Sequence, residues 1–222
     1  MSGPETFSAY ADAPEGDQTI AVINSTVEES GRTLSPDELA RLVQERAEET
    51  ANVNQEEVQQ YVSGLRDISH GAVISSLPPG IGGQCDGSGI EIAMSTVEVN
   101  GSVSETVACM QEVTDHEVYH LINGHTKPMD VAADAGPYAV VIGGEGFETT
   151  ELIEGLTVAQ TGDQFVSAEY KSYKERLLAA IGSAGISLEQ VEQAVSEGDL
   201  TKIHSPASAP DGAYSSEFAI SA

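Results

Sequence analysis

Residues 102–124, S-V-S-E-T-V-A-C-M-Q-E-V-T-D-H-E-V-Y-H-L-I-N-G, form the stretch that decides how the fold is interpreted. Ser102 and Glu105 make an S-x-x-E capping box, in which two side chains bond to backbone amides that a helix leaves free at its start. Asn123 and Gly124 are a typical helix end. Between these signals apolar residues recur at steps of three and four, which predicts one long and largely buried helix. The apolar residues are Val103, Val107, Met110, Val113, Val118, Leu121 and Ile122.

The last two turns of this predicted helix contain an H-E-x-x-H motif made by His116, Glu117 and His120. Residues four apart share one face of a helix, so both imidazoles can bind the same metal ion while Glu117 lies at its open coordination side. Three of the five histidines, the third being His125, fall within ten residues. This clustering favours a hydrolytic metal site. The alternative is that the two histidines are incidental residues of a helix.

A hydrolytic zinc ion takes three protein ligands and keeps one position for water, so the motif requires one further ligand. His125 is nearest in sequence, although Gly124 and His125 each stand one residue away from the spacing of H-E-x-x-H-x-x-G-x-x-H. Glu154 is the favoured candidate, because it lies on a separate helix predicted over residues 149–161. The other candidates are the carboxylates Glu145, Glu151, Asp130 and Asp134. The remaining alternative is that there is no third ligand and that Glu148, Glu151 and Glu154 form one solvated acidic face of the helix.

The segment L-I-E-G-L-T at residues 152–157 resembles the E-G-[FL]-[AT] signature of gluzincin metallopeptidases of the aminopeptidase type. In that family a second helix brings a glutamate to the zinc ion held by H-E-x-x-H. The resemblance extends over about residues 90–160. It implies a zincin-like domain in which His116, His120 and Glu154 bind Zn²⁺.

The same resemblance implies hydrolysis of peptide bonds with Glu117 as the general base. It also implies that Gly155 lets its helix pack closely on the motif helix. The strand expected over residues 90–95 would border the cleft and pair with an extended peptide or protein substrate. Asp115 is a candidate hydrogen-bond partner for a ligating imidazole. Candidate oxyanion donors are the phenols of Tyr138, Tyr170 and Tyr173.

Charge limits the class of partner. Thirty-six acidic and nine basic residues give a formal net charge of −27. Such a surface repels nucleic acid and anionic membranes, so neither is an expected partner. Adaptation to high salt explains this charge, since screening relieves the self-repulsion; an acidic protein from an ordinary-salt source is the alternative.

No apolar run approaches the roughly 20 residues of a membrane span. No export signal is visible, so we expect a cytoplasmic protein, with a secreted mature form left open.

Residues 19–204 are expected to form one α+β catalytic domain. Within it, residues 19–100 supply N-terminal helices and a small twisted sheet, and residues 101–204 supply the motif helix and a helical C-terminal part. Residues 1–18 and 205–222 are rich in small and polar residues without periodicity, which favours mobile ends. The expected strands are residues 19–24, residues 72–76 and residues 90–99, the last as one strand or a bent pair of strands. The expected helices begin near Pro36 and Asn54, cover residues 149–161 and 166–181, and follow Ser187, which forms a capping box with Gln190. A flexible loop is expected over residues 78–89.

Zinc-dependent peptide-bond hydrolysis is therefore the expected activity. The alternative from another class is a non-catalytic acidic binding or scaffold module with a structural metal ion or none. Metal-dependent hydrolysis of a non-peptide bond is a third possibility, since the same activated water serves other bonds. The sequence leaves open the physiological substrate, endopeptidase or exopeptidase action, and the oligomeric state.

Overall fold

The computed structural model describes residues 15–31, 33–68, 71–86, 89–125 and 128–205. Within these ranges the chain forms eight α-helices and two small sheets, which confirms the α+β class. The chain divides into two compact units. The first comprises Met1–Thr126 with Gln160–Val166, and the second comprises Lys127–Ala159 with Ser167–Ala222.

Three N-terminal helices build the core of the first unit: α1 (Glu15–Ser30), α2 (Pro36–Glu49) and α3 (Gln55–Asp67). The predicted helix starts are confirmed, because the Ser35 hydroxyl accepts from the Glu38 amide at 3.1 Å and the Asn54 side chain accepts from the amides that follow it. α3 packs against both α2 and α5 (Val103–Asn123). Side chains buried in the core by these helices include Ile23, Leu39, Val43, Val58, Tyr61 and Leu65.

α1 corrects two predictions. Residues 19–24 are helical, not a strand, and the residues from Glu15 to Gln18 belong to the same helix, whereas residues 1–14 lie outside the described part of the chain. The β-branched run T-I-A-V-I-N has strand propensity, but the buried positions Thr19, Ile23 and Val27 recur at four-residue steps. Packing of this face on α2 therefore overrides the local preference.

The sheet of the first unit has the order β1-β3-β2, with β1 (Val73–Ser75) parallel and β2 (Gly83–Cys85) antiparallel to β3 (Ile90–Ala93). The predicted strand over residues 72–76 is thus confirmed. The prediction of a strand over residues 90–99 is right only for its first half, because Met94–Val97 forms the short helix α4. The turn is held by the Thr96 hydroxyl and the Ala93 amide, which both donate to Gly82 O at 2.8 Å.

β3 lies in the centre of this sheet, with β1 on one side and β2 on the other. The prediction that residues 90–95 form an edge strand open to a peptide is therefore wrong. The edges of the sheet are β1 and β2, and β2 lies within the stretch expected to be a flexible loop. Its sequence, Gly-Gln-Cys, has no apolar alternation, so nothing in the side-chain pattern indicated a strand.

The second unit contains a hairpin of β4 (Val140–Ile142) and β5 (Glu145–Phe147) and the helices α6 (Thr149–Thr161), α7 (Ala168–Ala184) and α8 (Leu188–Glu197). Gly143 and Gly144 turn the hairpin with φ values of 57° and 88°, which L-residues with side chains rarely adopt. The three helices are confirmed. So is the capping box of Ser187 and Gln190.

The C-terminal residues of the described chain lie along β4. The Ser205 amide donates to Val141 O at 2.7 Å, and the Val141 amide donates to Nδ1 of His204 at 3.1 Å. Ser205, expected to begin a mobile tail, is thus ordered by backbone pairing, and residues 206–222 lie outside the described residues. No helix in the described ranges is both long enough and apolar enough to cross a membrane.

Candidate metal centre

The long helix α5 begins and ends as its sequence predicts. The Ser102 hydroxyl accepts from the Glu105 amide at 3.2 Å, and the Glu105 carboxylate accepts from the Ser102 amide at 3.3 Å, which completes the capping box. Gly124 ends the helix in the left-handed conformation with φ 65°. The prediction that Ile122 belongs to the buried apolar face is wrong, because this residue is 76% exposed in the last turn.

The three motif residues of α5 are buried. His116, Glu117 and His120 are 6%, 7% and 9% exposed, respectively. Burial of polar side chains is unfavourable unless they find polar partners. Nε2 of His116 and Nε2 of His120 lie 3.1 Å apart, with the two rings inclined at 76°. The helix therefore holds two imidazole nitrogens towards one point in a buried setting.

This separation fits two ligands of one ion. Two nitrogens that bind a tetrahedral Zn²⁺ at about 2.0–2.1 Å are about 3.3 Å from each other, as follows from the tetrahedral angle. The observed 3.1 Å between the Nε2 atoms is close to that value. Without an ion, one of these nitrogens must carry the proton that the other accepts; with an ion, both must be unprotonated.

Glu154 completes the candidate group. The group of His116, His120 and Glu154 could hold a metal ion. The glutamate is partly buried on α6. The role of these three residues as metal ligands stays a prediction.

Gly155, next to this glutamate, lies against α7. A Cβ atom on Gly155 would lie 2.9 Å from the backbone oxygen of Tyr173, which is in α7. The glycine therefore permits close packing of α6 on α7, and its close packing on the motif helix stays a prediction. The Glu154-Gly155 pair does not show in the sequence which helix packs on the glycine, because a residue without a side chain leaves room for any neighbouring surface.

Two of the rival ligands are bound to Arg176. Its Nε donates to Glu145 at 2.9 Å and its Nη1 donates to Glu151 at 3.0 Å. The hydrogen bond to Glu145 is the main cause that raises the pKa of Arg176, with Glu151 adding to it. A third rival, Asp134, lies 3.1 Å from Nε2 of His204, and the fourth, Asp130, is exposed. These contacts account for Glu145, Glu151 and Asp134 without a metal ion.

His125 lies on the far side of His120 from His116. It is buried, and its Nδ1 lies 3.0 Å from Nδ1 of His120. The two nitrogens of an imidazole point to opposite sides of the ring, so a group at Nδ1 of His120 does not face an ion held at Nε2. Asp115, the partner expected for a ligating imidazole, is exposed.

An unexpected neighbour of Glu117 is the edge strand β2. A Cβ atom on Gly83 would lie 3.0 Å from Cγ of Glu117 and 2.9 Å from Cγ1 of Val113. Only a residue without a side chain lets the strand approach the helix this closely. The signal in the sequence is the pair of adjacent glycines Gly82 and Gly83, which lies in the predicted flexible loop.

The three tyrosines proposed as oxyanion donors have other contacts. The Tyr173 hydroxyl donates to Glu169, and this hydrogen bond raises the pKa of Tyr173 to about 12. The Tyr170 ring lies 6.0 Å from the ring of Tyr173. The Tyr138 ring covers Gly146, where a Cβ atom would come within 2.3 Å of it. The oxyanion role stays a prediction for these phenols.

The chain matches no protein-family model, no curated protein sequence and no solved structure. A function therefore has to be argued from the site alone, from the residues it contains and their geometry.

Proposed function

We propose that this protein is a metal-dependent hydrolase that binds Zn²⁺ and cleaves peptide bonds. The observation that carries the proposal is the buried pair of Nε2 atoms on α5, 3.1 Å apart, with Glu154 in the same group. Two imidazoles and one carboxylate are a ligand set that hydrolytic zinc uses. Zincin-like architecture is part of the proposal, supported by a motif helix next to a small mixed sheet.

Each residue of the site has a distinct role. His116 and His120 would hold the ion through Nε2, and Glu154 would supply a negative charge that offsets part of the charge of the ion. Zn²⁺, when bound, would polarise the carbonyl oxygen of the substrate and lower the pKa of a bound water towards neutrality. Glu117 takes a proton from the attacking water and delivers it to the leaving amine.

β2 is the candidate binding strand for the substrate. It forms one edge of the sheet, and Gly83 places it against Glu117. An extended peptide can add to such an edge through main-chain hydrogen bonds, which read the backbone and not the side chains. We therefore expect broad sequence preference in the residues that pair with β2.

The decisive experiment separates metal binding from turnover. Glu117→Gln keeps the size of the side chain and removes the base, so it should retain about one zinc per chain while peptidase activity falls by roughly 10²–10⁴-fold. Zinc is measured by elemental analysis and turnover with a mixture of quenched fluorescent peptides. Asp115→Asn, an exposed change on the same helix, is the matched control and should keep both properties. Unchanged turnover in Glu117→Gln contradicts the assigned base.

Metal content tests the ligand set directly. His120→Ala and Glu154→Ala should each lose zinc or bind it far more weakly than the wild type, because each removes one of three ligands. Loss of zinc in His120→Ala alone would remove Glu154 from the site. Wild-type protein without metal after reconstitution with Zn²⁺ would reject the proposal.

The competing proposal is an acidic binding or scaffold module with a structural metal ion. The net charge of −27 is the feature that favours it. Structural zinc sites are closed by four protein ligands, whereas the candidate group within the described residues has three. An open position is what hydrolysis needs, and the hydrolase is therefore the better supported function.

A further inference from the structure

We infer that His125 is a positioning residue for the metal ligand His120: it accepts a hydrogen bond from Nδ1–H of His120 and so fixes the tautomer that leaves Nε2 available for metal. This inference rests on the proposed metal site and deepens it. The carrying observation is the 3.0 Å separation of the two Nδ1 atoms, with both side chains buried.

The turn after α5 brings His125 back to the helix. Gly124 adopts φ 65°, and the amides of Gly124 and His125 both donate to His120 O. This is the helix ending in which the chain reverses over its own last turn. The ring of Tyr119 packs edge-on against His125 at 5.4 Å between centroids, which holds the imidazole from a second side. His125 thus has a defined orientation in spite of its place after the helix.

The direction of the hydrogen bond follows from the metal site. A neutral imidazole has one N–H and one bare nitrogen. If His125 donated to Nδ1 of neutral His120, the proton of His120 would be on Nε2, which faces His116 and could not bind an ion. Metal binding at Nε2 therefore requires His120 to donate from Nδ1 and His125 to accept at Nδ1, with the proton of His125 on Nε2.

An imidazole in this position differs from the usual partner. Ligating histidines commonly donate to a carboxylate, a backbone carbonyl or water. Asp115 is exposed and does not fill the role, whereas His125 is buried in contact with the ligand. A neutral imidazole, unlike a carboxylate, adds no negative charge next to the metal ligand His120. A bound ion would therefore keep more of its positive charge to polarise water and substrate.

Nuclear magnetic resonance on the full ¹⁵N-labelled chain tests the hydrogen bond itself. In the protein loaded with ¹¹³Cd²⁺, we expect cadmium coupling to Nε2 of His116 and of His120, and a nitrogen–nitrogen coupling across the bond between Nδ1 of His120 and Nδ1 of His125. Cadmium coupling to His125 would make it a ligand and overturn the inference. A proton on Nε2 of His120 in the loaded protein would also overturn it.

This experiment separates the inference from the proposed hydrolase. A peptidase-inactive protein can still give the expected couplings, and an active one can lack them. If the chain does not take up cadmium, the metal site fails, and the coupling between the two Nδ1 atoms is then measured in the metal-free protein; its absence there overturns the contact as well.

Paired variants test what the contact does. His125→Leu removes the acceptor and should weaken Co²⁺ affinity by roughly 10–100-fold, the range found when partners of metal ligands are removed. His125→Asn offers a carbonyl oxygen near the position of Nδ1 and should recover most of that loss, together with the visible spectrum of bound Co²⁺. His204→Leu removes another buried imidazole, one that contacts Val141 and Asp134, and should leave the affinity unchanged.

Thermal unfolding of the metal-free variants shows whether each of them is folded. Equal weakening in His125→Leu and His125→Asn would mean that the ring only fills space. Wild-type affinity in His125→Leu would mean that His120 needs no partner. Either result rejects the positioning role.

Discussion

A Cβ atom on Gly83 would lie 3.0 Å from Cγ of Glu117, so an edge strand and the proposed general base are in direct contact. The contact joins two features that the sequence presents far apart, a glycine-rich stretch and a histidine motif. β2 can lie this close to α5 only because Gly83 has no Cβ methyl group.

Gly83→Ala should therefore be destabilising and should reduce activity. The new methyl group would meet Val113 at 2.9 Å, Glu117 at 3.0 Å and the backbone oxygen of Glu91 at 3.2 Å. Overpacking of this kind costs about 1–3 kcal/mol. Urea unfolding measures the free energy, and the peptide assay measures turnover. Gly89→Ala is the matched control, since nothing lies within 4 Å of its Cβ position. Equal effects of the two alanines would contradict the close approach.

Gly155→Ala tests the packing of α6 on α7. An alanine in a helix usually gains about 0.5–1 kcal/mol over glycine. Here the methyl group would lie 2.9 Å from the backbone oxygen of Tyr173, which has no rotamer by which to move away. We expect a net loss of about 1–3 kcal/mol. Gly182→Ala in α7, with nothing within 4 Å, should instead stabilise the protein. Stabilisation by both substitutions would show that the helices can separate without cost.

Arg176 joins α7 to the hairpin and to α6, and its removal should destabilise the second unit. The guanidinium donates to Glu145, Glu151 and Gly146 O and lies 5.2 Å from the centre of the Phe147 ring. The side chain is 35% exposed, so screening reduces these interactions. For Arg176→Ala we expect a loss of about 1–2 kcal/mol in the free energy of unfolding, less at high salt.

The control for Arg176 is another arginine that pairs with a glutamate. Arg41→Ala removes an exposed pair with Glu45 four residues away and should change the free energy by less than about 0.5 kcal/mol. Zinc content should be unchanged in Arg176→Ala if Glu151 is not a ligand. A gain or loss of zinc would reopen the choice between Glu151 and Glu154.

The hydrogen bond between Tyr173 and Glu169 predicts a pH dependence. It raises the pKa of the phenol to about 12, above its ordinary value near 10. A raised pKa in the folded chain means that this contribution to stability is complete below about pH 10 and is lost as the pH rises through about 12. Glu169→Gln should return the pKa of Tyr173 towards 10, measured by ¹³C resonance of the tyrosine ring.

Glu175→Gln is the control for this titration, because Glu175 is an exposed glutamate of the same helix. It should leave the pKa of Tyr173 unchanged. If both variants lower the pKa equally, the cause is the general negative charge of the helix and not the hydrogen bond.

Local signals predicted most helix boundaries. The capping boxes of Ser102 with Glu105 and of Ser187 with Gln190 form as expected, because each depends only on residues three apart. The strand-like run at residues 19–24 became helical because its packing partners, which lie elsewhere in the chain, decide its conformation. β2 was missed because backbone pairing with β3 needs no side-chain pattern.

The residues of the candidate site were also predictable only where the signal comes from short sequence motifs. His116, Glu117 and His120 follow from helical spacing, and Glu154 follows from a second short motif. The hydrogen bonds of Arg176 to Glu145 and Glu151 join residues that are 31 and 25 positions apart, so no local sequence pattern predicts them. His125 was a visible candidate, but only its turn at Gly124 decides which nitrogen of His120 it meets.

Two of the three proposed ligands and the histidine that supports one of them lie in ten consecutive residues, 116–125. An ion shared by residues four apart would close a ring within the last two turns of α5, near the end from which a helix frays. Loading the metal should therefore act on the folding equilibrium as well as on chemistry, since an ion bound only by the folded chain favours that state. A chelator would then loosen the C-terminal end of α5 before the capped start at Ser102.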